Sequence, residues 1–375
     1  MRLSFILFIL LILLTSKSFG QESKREMYKG LPVLLSGIDT LYFEVGEYKS
    51  KGWIVSPKVD KDSLRFGSLH ALTARFISDV DSISYLVSPG ESKHFYVKLK
   101  DQYAYTVIYN RASLTKIAFH KEKQLPDSIQ FLFDKEYATV PYFLRLRNQY
   151  PFESNLVDAK DDASRVLNIL HWVHNQWKHN GNLAPQKNDA ISILEEAKEG
   201  KGFPCFAYAE VLRATLNSVG IPTRRLALKT KDVETQNYAS GHVANEVWLR
   251  DLKKWVFADP QEDVIPYLNG IPLSAVELQE ALTTNLDAVE FKSLSNISKD
   301  AYVDFIYPYL YYFDTNYDHR YADQPKQKYT GMSSMMLVPV GAKNPVKAGF
   351  YSDQKIDYCI YTHSLKDFYK EPTFK

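Results

Sequence analysis

Residues 202–222 read GFPCFAYAEVLRATLNSVGIP, and the rest of the chain is organised around them. Gly202 and Pro204 at one end, and Gly220 and Pro222 at the other, are helix punctuation. Between them Cys205, Ala209, Leu212, Leu216 and Val219 recur at steps of four, three, four and three. That is one face of a helix of at most about five turns, with the cysteine in its first turn. A helix start carries unpaired N–H groups and a partial positive charge, so a thiol placed there ionises more easily. The thiolate is the nucleophilic form.

Two strand-like pieces follow, GHVANEVWL at 241–249 and KWVFADP at 254–260, joined by the polar residues 250–253. Paired as a hairpin whose facing residue numbers sum to about 501–503, they set His242 opposite a position between Asp259 and Gln261. Facing or diagonal neighbours in a sheet are close enough for an imidazole to meet a carboxylate. The core helix then needs only to dock against the open end of the hairpin to bring Cys205 to the pair. A thiol beside a carboxylate-oriented histidine is an activated nucleophile. Glu246 lies on the His242 face about 13 Å further along the strand. It reads as structural, paired with Arg224 or Arg225.

The order Cys, His, Asp, with the cysteine opening a helix that runs into GIPTR, then GHVANEVW, then WVFADP, resembles the transglutaminase-like superfamily. The resemblance is most specific over 190–262 and extends from about 150 to the C-terminus. It implies a papain-like domain at 151–375 in which a central Cys-bearing helix packs on an antiparallel sheet. Cys205 would attack an acyl carbon, His242 would move the proton and Asp259 would orient the imidazole. Papain-like enzymes often place an oxyanion-binding glutamine a few residues before the cysteine. Residues 198–204, KEGKGFP, contain none, which leaves Gln176, Trp172 and Trp177 as substitutes and the Cys205 backbone N–H as a further donor. The implied activity is hydrolysis of a peptide or amide bond. The alternatives are amine crosslinking of protein glutamines and a non-catalytic surface binding protein on a degenerate scaffold. The expected partner is a peptide or protein substrate, and no cofactor is expected.

The amino-terminal end bears on location. Arg2 followed by an apolar run over 3–14 and a small residue, Gly20, form a secretory signal cleaved near Gly20, too short to span a bilayer comfortably. The protein is therefore expected to be exported, periplasmic or secreted, without stable membrane insertion. Removing 1–20 takes away Arg2 and Lys17 and no acid, so the formal charge of +2 falls to zero. A neutral chain has no electrostatic case for nucleic acid. Two cysteines, Cys205 and Cys359, are too few for a disulfide scaffold, and a bridge between them would block the nucleophile.

The expected fold class is α+β. Residues 21–30 read as a loose N-terminus. Residues 31–112 read as a small β-sandwich, with a hairpin at 94–100 and 103–109 and a strand at 84–87 ended by Pro89-Gly90. That region resembles accessory β modules that precede enzyme domains in secreted bacterial proteins, and its aromatics read as core. Residues 113–150 connect the two parts and are apolar enough at 131–133 and 142–146 to pack on the second domain. A helix is expected after 158–162, running to about His179 with Val166, Ile169, Leu170, Val173 and Trp177 on its buried face. His171, His174 and His179 read as surface or capping residues, and no metal site is expected. Further helices are expected at 190–197 and 274–283, and strands at 335–340 and 357–362. The aromatic-rich segment 302–321 reads as part core and part cleft wall.

Overall fold

The computed structural model describes residues 25–375 apart from 47, 59–60, 111–113, 158, 236–238 and 352–353. The signal reading of 1–20 lies outside the described residues. Among the described residues no helix is long and apolar enough to cross a membrane. The chain is mixed α/β and divides into two compact units, one ending at Ser113 and one spanning Leu114–Lys375.

Among the described residues the first unit holds nine strands: β1 (Met27–Tyr28), β2 (Leu31–Ser36), β3 (Thr40–Val45), β4 (Tyr48–Ile54), β5 (Asp62–Phe66), β6 (Leu72–Ile77), β7 (Ser82–Val87), β8 (Ser92–Leu99) and β9 (Gln102–Asn110). They form a five-stranded sheet, β1-β2-β8-β9-β5, and a four-stranded sheet, β4-β3-β6-β7. One apolar cluster draws on both, including Leu34, Phe95 and Val97 from the first and Leu41, Phe76 and Ile83 from the second. The β8–β9 hairpin pairs Lys98 with Tyr103, and Lys100 takes a φ of +57° at its turn. The expectation of a loose 21–30 is corrected over its described part. Lys29 and Gly30 both have positive φ, the signature of a two-residue hairpin turn, and they fold β1 back on β2.

The second unit begins before the expected boundary at 151. Phe131, Leu132 and Phe133 are buried, and β10 (Leu132–Phe133) pairs in parallel with the C-terminal β22 (Thr373–Phe374). Four helices precede the central sheet: α1 (Pro141–Gln149), α2 (Asp162–His174), α3 (Ala190–Lys198) and α4 (Cys205–Ser218). Helix α2 is capped by Asp161, whose side chain accepts from the Ser164 N–H. It ends at His174 rather than near 179, because the Asn175 side chain donates to the His171 carbonyl at 2.8 Å and competes with the next helical turn. Trp177 is buried all the same, its ring 4.4 Å from that of Tyr208 and tilted 38° to it.

Helix α4 is the centre of the unit. Pro204 caps it, and from Ala207 to Ser218 every residue except Arg213 is buried, so the stripe read from the sequence is only part of its packed surface. Helices α1, α2 and α3 and the central sheet close around it. Gly220 ends it with a φ of +78°, and Asn217 ties the exit to the next strand by two hydrogen bonds with Thr223, at 2.9 and 3.0 Å.

The central sheet has the order β13-β12-β11-β17-β18-β21, made from β11 (Thr223–Lys229), β12 (Gly241–Leu249), β13 (Lys254–Ala258), β17 (Tyr312–Asn316), β18 (Ser334–Leu337) and β21 (Cys359–Thr362). Between β13 and β17 lie a small sheet, β14 (Ile265–Leu268), β15 (Ile271–Pro272) and β16 (Val289–Lys292), and helices α5 (Ala275–Thr284) and α6 (Lys299–Ile306). A short hairpin, β19 (Lys347–Ala348) with β20 (Gln354–Lys355), precedes β21. The expectation of a wholly antiparallel sheet is corrected: β18 and β21 run parallel, since a crossover through β19 and β20 brings the chain back in the same direction.

Candidate active site

The β12–β13 hairpin pairs residues whose numbers sum to 503, Asn245 with Ala258 and Trp248 with Trp255. Regular pairing stops at Ala258. Asp259 instead forms a bridge with Val264, which folds 259–264 into a tight turn at the open end of the hairpin. His242 donates from Nε2 to Asp259 Oδ2 at 2.9 Å. The Cys205 side chain hydrogen-bonds the same ring. With Nε2 taken by Asp259, Nδ1 is the nitrogen left for the sulfur. The structure thus brings Cys205, His242 and Asp259 into one line. His242 and Asp259 are buried and Cys205 is half-buried at the cleft surface.

Burial opposes charge on the His242 ring. The Asp259 carboxylate and its hydrogen bond, together with the Cys205 contact, outweigh burial and raise the pKa to about 10. The ring is therefore an imidazolium at neutral pH. A cationic imidazole against a sulfur is the arrangement in which a thiolate nucleophile is stabilised.

The Asp259 carboxylate is held from three sides. Its Oδ1 accepts the Gln261 N–H at 3.1 Å, and its Oδ2 accepts the Tyr302 hydroxyl at 3.0 Å beside the His242 ring. Tyr302 is buried in α6. Burial and the neighbouring Asp259 push its phenol well above the usual range, so it stays protonated and donates. Phe305 meets the His242 ring edge-on at 5.1 Å, and Tyr309 lies 5.9 Å from it. The segment 302–321 therefore divides: Tyr302, Phe305 and Tyr309 frame the histidine.

The histidines of α2 are corrected from surface or capping residues to braces of the turn. His171 donates from Nδ1 to Asp263 Oδ2 at 2.8 Å, and His174 from Nδ1 to the Gln261 carbonyl at 2.9 Å. Asp263, with a φ of +56°, also accepts from Ser293, Ser295 and the Leu294 N–H. No local spacing could reveal these contacts, because the partners lie 87 and 92 residues away.

The oxyanion substitutes are not brought to the cysteine. The Gln176 amide donates to the Trp172 carbonyl, Trp172 packs 5.4 Å from Phe152, and the Trp177 ring is buried against Phe203 and Tyr208. None of the three lines the cleft. The first N–H groups of α4 have no partner within the helix, and Cys205 and Phe206 of that turn line the cleft. The bridge between Cys205 and Cys359 is also absent: both thiols are free, and Cys359 is buried in β21, where burial raises its pKa far above the ordinary thiol value.

The approach to Cys205 is set by a close backbone crossing. Asn180 donates its N–H to the Phe203 carbonyl at 3.2 Å, and a Cβ on Gly202 would stand 2.2 Å from the Lys178 carbonyl oxygen. Backbone cannot yield as a side chain can. Gly202→Ala is therefore expected to lower stability by about 1–3 kcal/mol and to displace Cys205. Thermal melting and the rate of Cys205 alkylation measure the two effects; an unchanged melting temperature and rate would show that the crossing tolerates a methyl group.

The cleft over Cys205 and His242 measures about 460 Å³. It lies where β11 ends and β12 begins, and is walled by residues 181–184, Phe206, Val233 and the β19–β20 hairpin region.

Of solved structures, 45 chains match. A proposed cysteine protease from Cytophaga hutchinsonii is 15% identical with a TM-score of 0.28, covering 70% of this chain and 88% of that one. A proposed protease from Parabacteroides distasonis is 15% identical with a TM-score of 0.24, covering 44% and 35%. Red sea bream transglutaminase is 10% identical with a TM-score of 0.27, covering 67% and 55%. A comparison with curated proteins finds no match. The model of the transglutaminase-like superfamily matches residues 153–260, a span that contains α2, α3, α4, the β12–β13 hairpin and all three of Cys205, His242 and Asp259. The similarity of this chain to the transglutaminase-like superfamily thus lies in residues 153–260.

Proposed function

We propose that this chain is an exported cysteine-dependent acyl-transfer enzyme that hydrolyses a peptide or amide bond, carried on a papain-like domain behind a β-sandwich accessory module. The observation that carries the reading is the line of Cys205, His242 and Asp259, with His242 Nε2 2.9 Å from Asp259 Oδ2 and the Cys205 side chain on the same ring. Cys205 Sγ, as thiolate, adds to the carbonyl carbon, and the N–H groups at the start of α4 receive the oxyanion. The tetrahedral adduct collapses as His242 gives its proton to the leaving amine, leaving a thioester on Cys205. Water then adds to the thioester and gives a proton to His242. Collapse of this second adduct releases the acid and restores the thiolate and imidazolium. Asp259, fixed by Tyr302 and Gln261, keeps the ring oriented throughout and stabilises the imidazolium each time it forms.

An amine in place of water would make the same thioester a crosslinking intermediate. Nothing in the cleft selects an amine, so hydrolysis is the simpler outcome. The match of 153–260 to the transglutaminase-like superfamily supports a peptide or protein as substrate here.

The test is covalent trapping of the purified protein with a peptidyl electrophile, followed by peptide mapping. One adduct at Cys205 and none at Cys359 is expected. No adduct, or an adduct at Cys359 instead, would overturn the reading. Iodoacetamide at neutral pH should give the same site preference, because Cys359 is buried and held as the neutral thiol.

A further inference from the structure

The cleft beside Cys205 has a composition that selects the group next to the scissile carbonyl. Its walls are mainly carbon: Leu183 and Ala184 from the exposed 181–184 loop, Ala227 and Val243 facing each other across β11 and β12, and Val233 and Ile356 from the opposite side. Among the described residues that line it, the charged side chains besides His242 are Lys229 and Lys355, and none is a carboxylate. Lys229 is held by Asp314 in a buried ion pair, so its charge is already answered within the protein. Lys355 is exposed at the rim. One buried hydroxyl, Ser240 Oγ, lines the cleft with no hydrogen-bond partner among the described residues.

A carboxamide side chain brings two N–H donors and a carbonyl. The other neutral polar side chains of the lining, Asn182, Gln354 and Tyr358, are exposed or half-exposed, so away from the rim the one buried hydroxyl satisfies only part of that set, and a buried polar group without partners is penalised. An aliphatic or aromatic group needs no such partners and gains from every apolar wall. The volume, about 460 Å³, is in the range of ordinary ligand pockets and larger than any single side chain. The exposed Lys355 ammonium at the rim favours an anionic group beyond the apolar one.

From these features we infer that the substrate is a peptide whose residue at the scissile carbonyl is bulky and apolar, with a carboxylate-bearing group nearby at the Lys355 rim, and that glutamine is discriminated against. This rests on the assignment of Cys205 as nucleophile, because the cleft is defined by its contact with Cys205 and His242.

The experiment measures second-order inactivation by a series of acetyl-dipeptidyl acyloxymethyl ketones that differ only at the residue next to the ketone, carrying Leu, Phe, Gln or Lys. A parallel Leu series carries or lacks an acidic residue at the next position. Iodoacetamide, which needs no cleft, is the control. Leu and Phe reagents are expected to react at least tenfold faster than Gln and Lys reagents, and the acidic neighbour to add a further threefold that 0.5 M salt removes. Leu183→Glu, on the exposed loop, is expected to slow the Leu reagent at least fivefold and to speed the Lys reagent, with a melting temperature within two degrees of the parent as the check on folding. Equal rates for Leu and Gln reagents, with iodoacetamide still labelling Cys205, would overturn the selectivity inference and leave the nucleophile in place. Failure of iodoacetamide and every ketone to label Cys205 would overturn both.

Discussion

Asp259→Asn is expected to lower kcat on a peptide amide by about 10³–10⁴-fold while leaving the fold and the cleft in place. The reason is specific to the ring it holds. Burial alone would keep His242 neutral, and the Asp259 charge is the largest contribution that reverses this. An asparagine can still accept from His242 Nε2, but it supplies no charge. Removing the carboxylate of such a triad has costs of this order elsewhere. The same variant separates a charge effect from a packing effect through pH. The folded value of His242, about 10, lies above the ordinary value of 6.5. The stability contributed by the charged pair is therefore complete below about pH 6.5 and is lost as pH rises through 10. Between those limits the wild type should lose stability relative to Asp259→Asn, whose profile should be flat there. Parallel profiles for the two proteins, read by denaturant unfolding at several pH values, would show that the pair carries no charge of its own. Tyr302→Phe removes one donor from the same carboxylate and should cost less, about tenfold in kcat.

The second large effect is on stability. Glu246→Ala is expected to destabilise the second unit by about 3–5 kcal/mol, because it leaves the Arg224 guanidinium buried without its counter-charge. Arg224 and Glu246 are both fully buried. Arg224 Nε and Nη2 donate to Glu246 Oε2 at 3.1 and 2.6 Å, and Nη1 donates to the Phe368 carbonyl at 2.8 Å. The guanidinium also lies over Trp255 at 4.4 Å and Phe368 at 4.6 Å. Glu246 Oε1 accepts the Ala275 N–H at the start of α5 and the Tyr369 hydroxyl, both at 3.0 Å. One carboxylate thus joins β11, β12, α5 and the C-terminal segment. Thermal melting should fall by roughly 10 °C for a unit of this size. The double variant Arg224→Met, Glu246→Leu should recover much of that loss, since an apolar pair leaves no charge stranded. A single variant within 1 kcal/mol of the wild type would show that water reaches Arg224.

The parts of this architecture that are local in sequence were legible in it. The α4 boundaries follow from Pro204 and Gly220, and the meeting of His242 with Asp259 follows from the hairpin register. Glu246 was legible as a structural residue paired with Arg224 or Arg225, and the register that sets it opposite Arg224 decides between them. The parts that depend on distant chain were not legible. Tyr302 reaches Asp259 from 43 residues away, and His171 reaches Asp263 from 92. Their sequence surroundings fit a buried aromatic and a helix-end histidine equally well. The parallel β18–β21 pairing was hidden for a related reason: two short apolar strands carry no mark of direction, and the turn that sets it lies between them. Of the oxyanion donors named from the sequence, the Cys205 backbone N–H was legible from its place at a helix start, whereas the side chains of Gln176, Trp172 and Trp177 are drawn away from the cleft by partners that no local spacing marks. Helix α2 was read too long because Trp177 continues its apolar period after the Asn175 cap has ended the helix.

Cys205, the proposed nucleophile, is mounted on α4, a helix enclosed on nearly every side, whereas one lip of the cleft, 181–184, is an exposed loop outside any helix or strand. Chemistry and choice of target are thereby uncoupled. Exchanges of amino acids along that lip could redirect the protein towards new targets at little thermodynamic expense, while the machinery beneath stays fixed. Divergence among descendants of such a chain should accordingly concentrate at 181–184 and spare the helix.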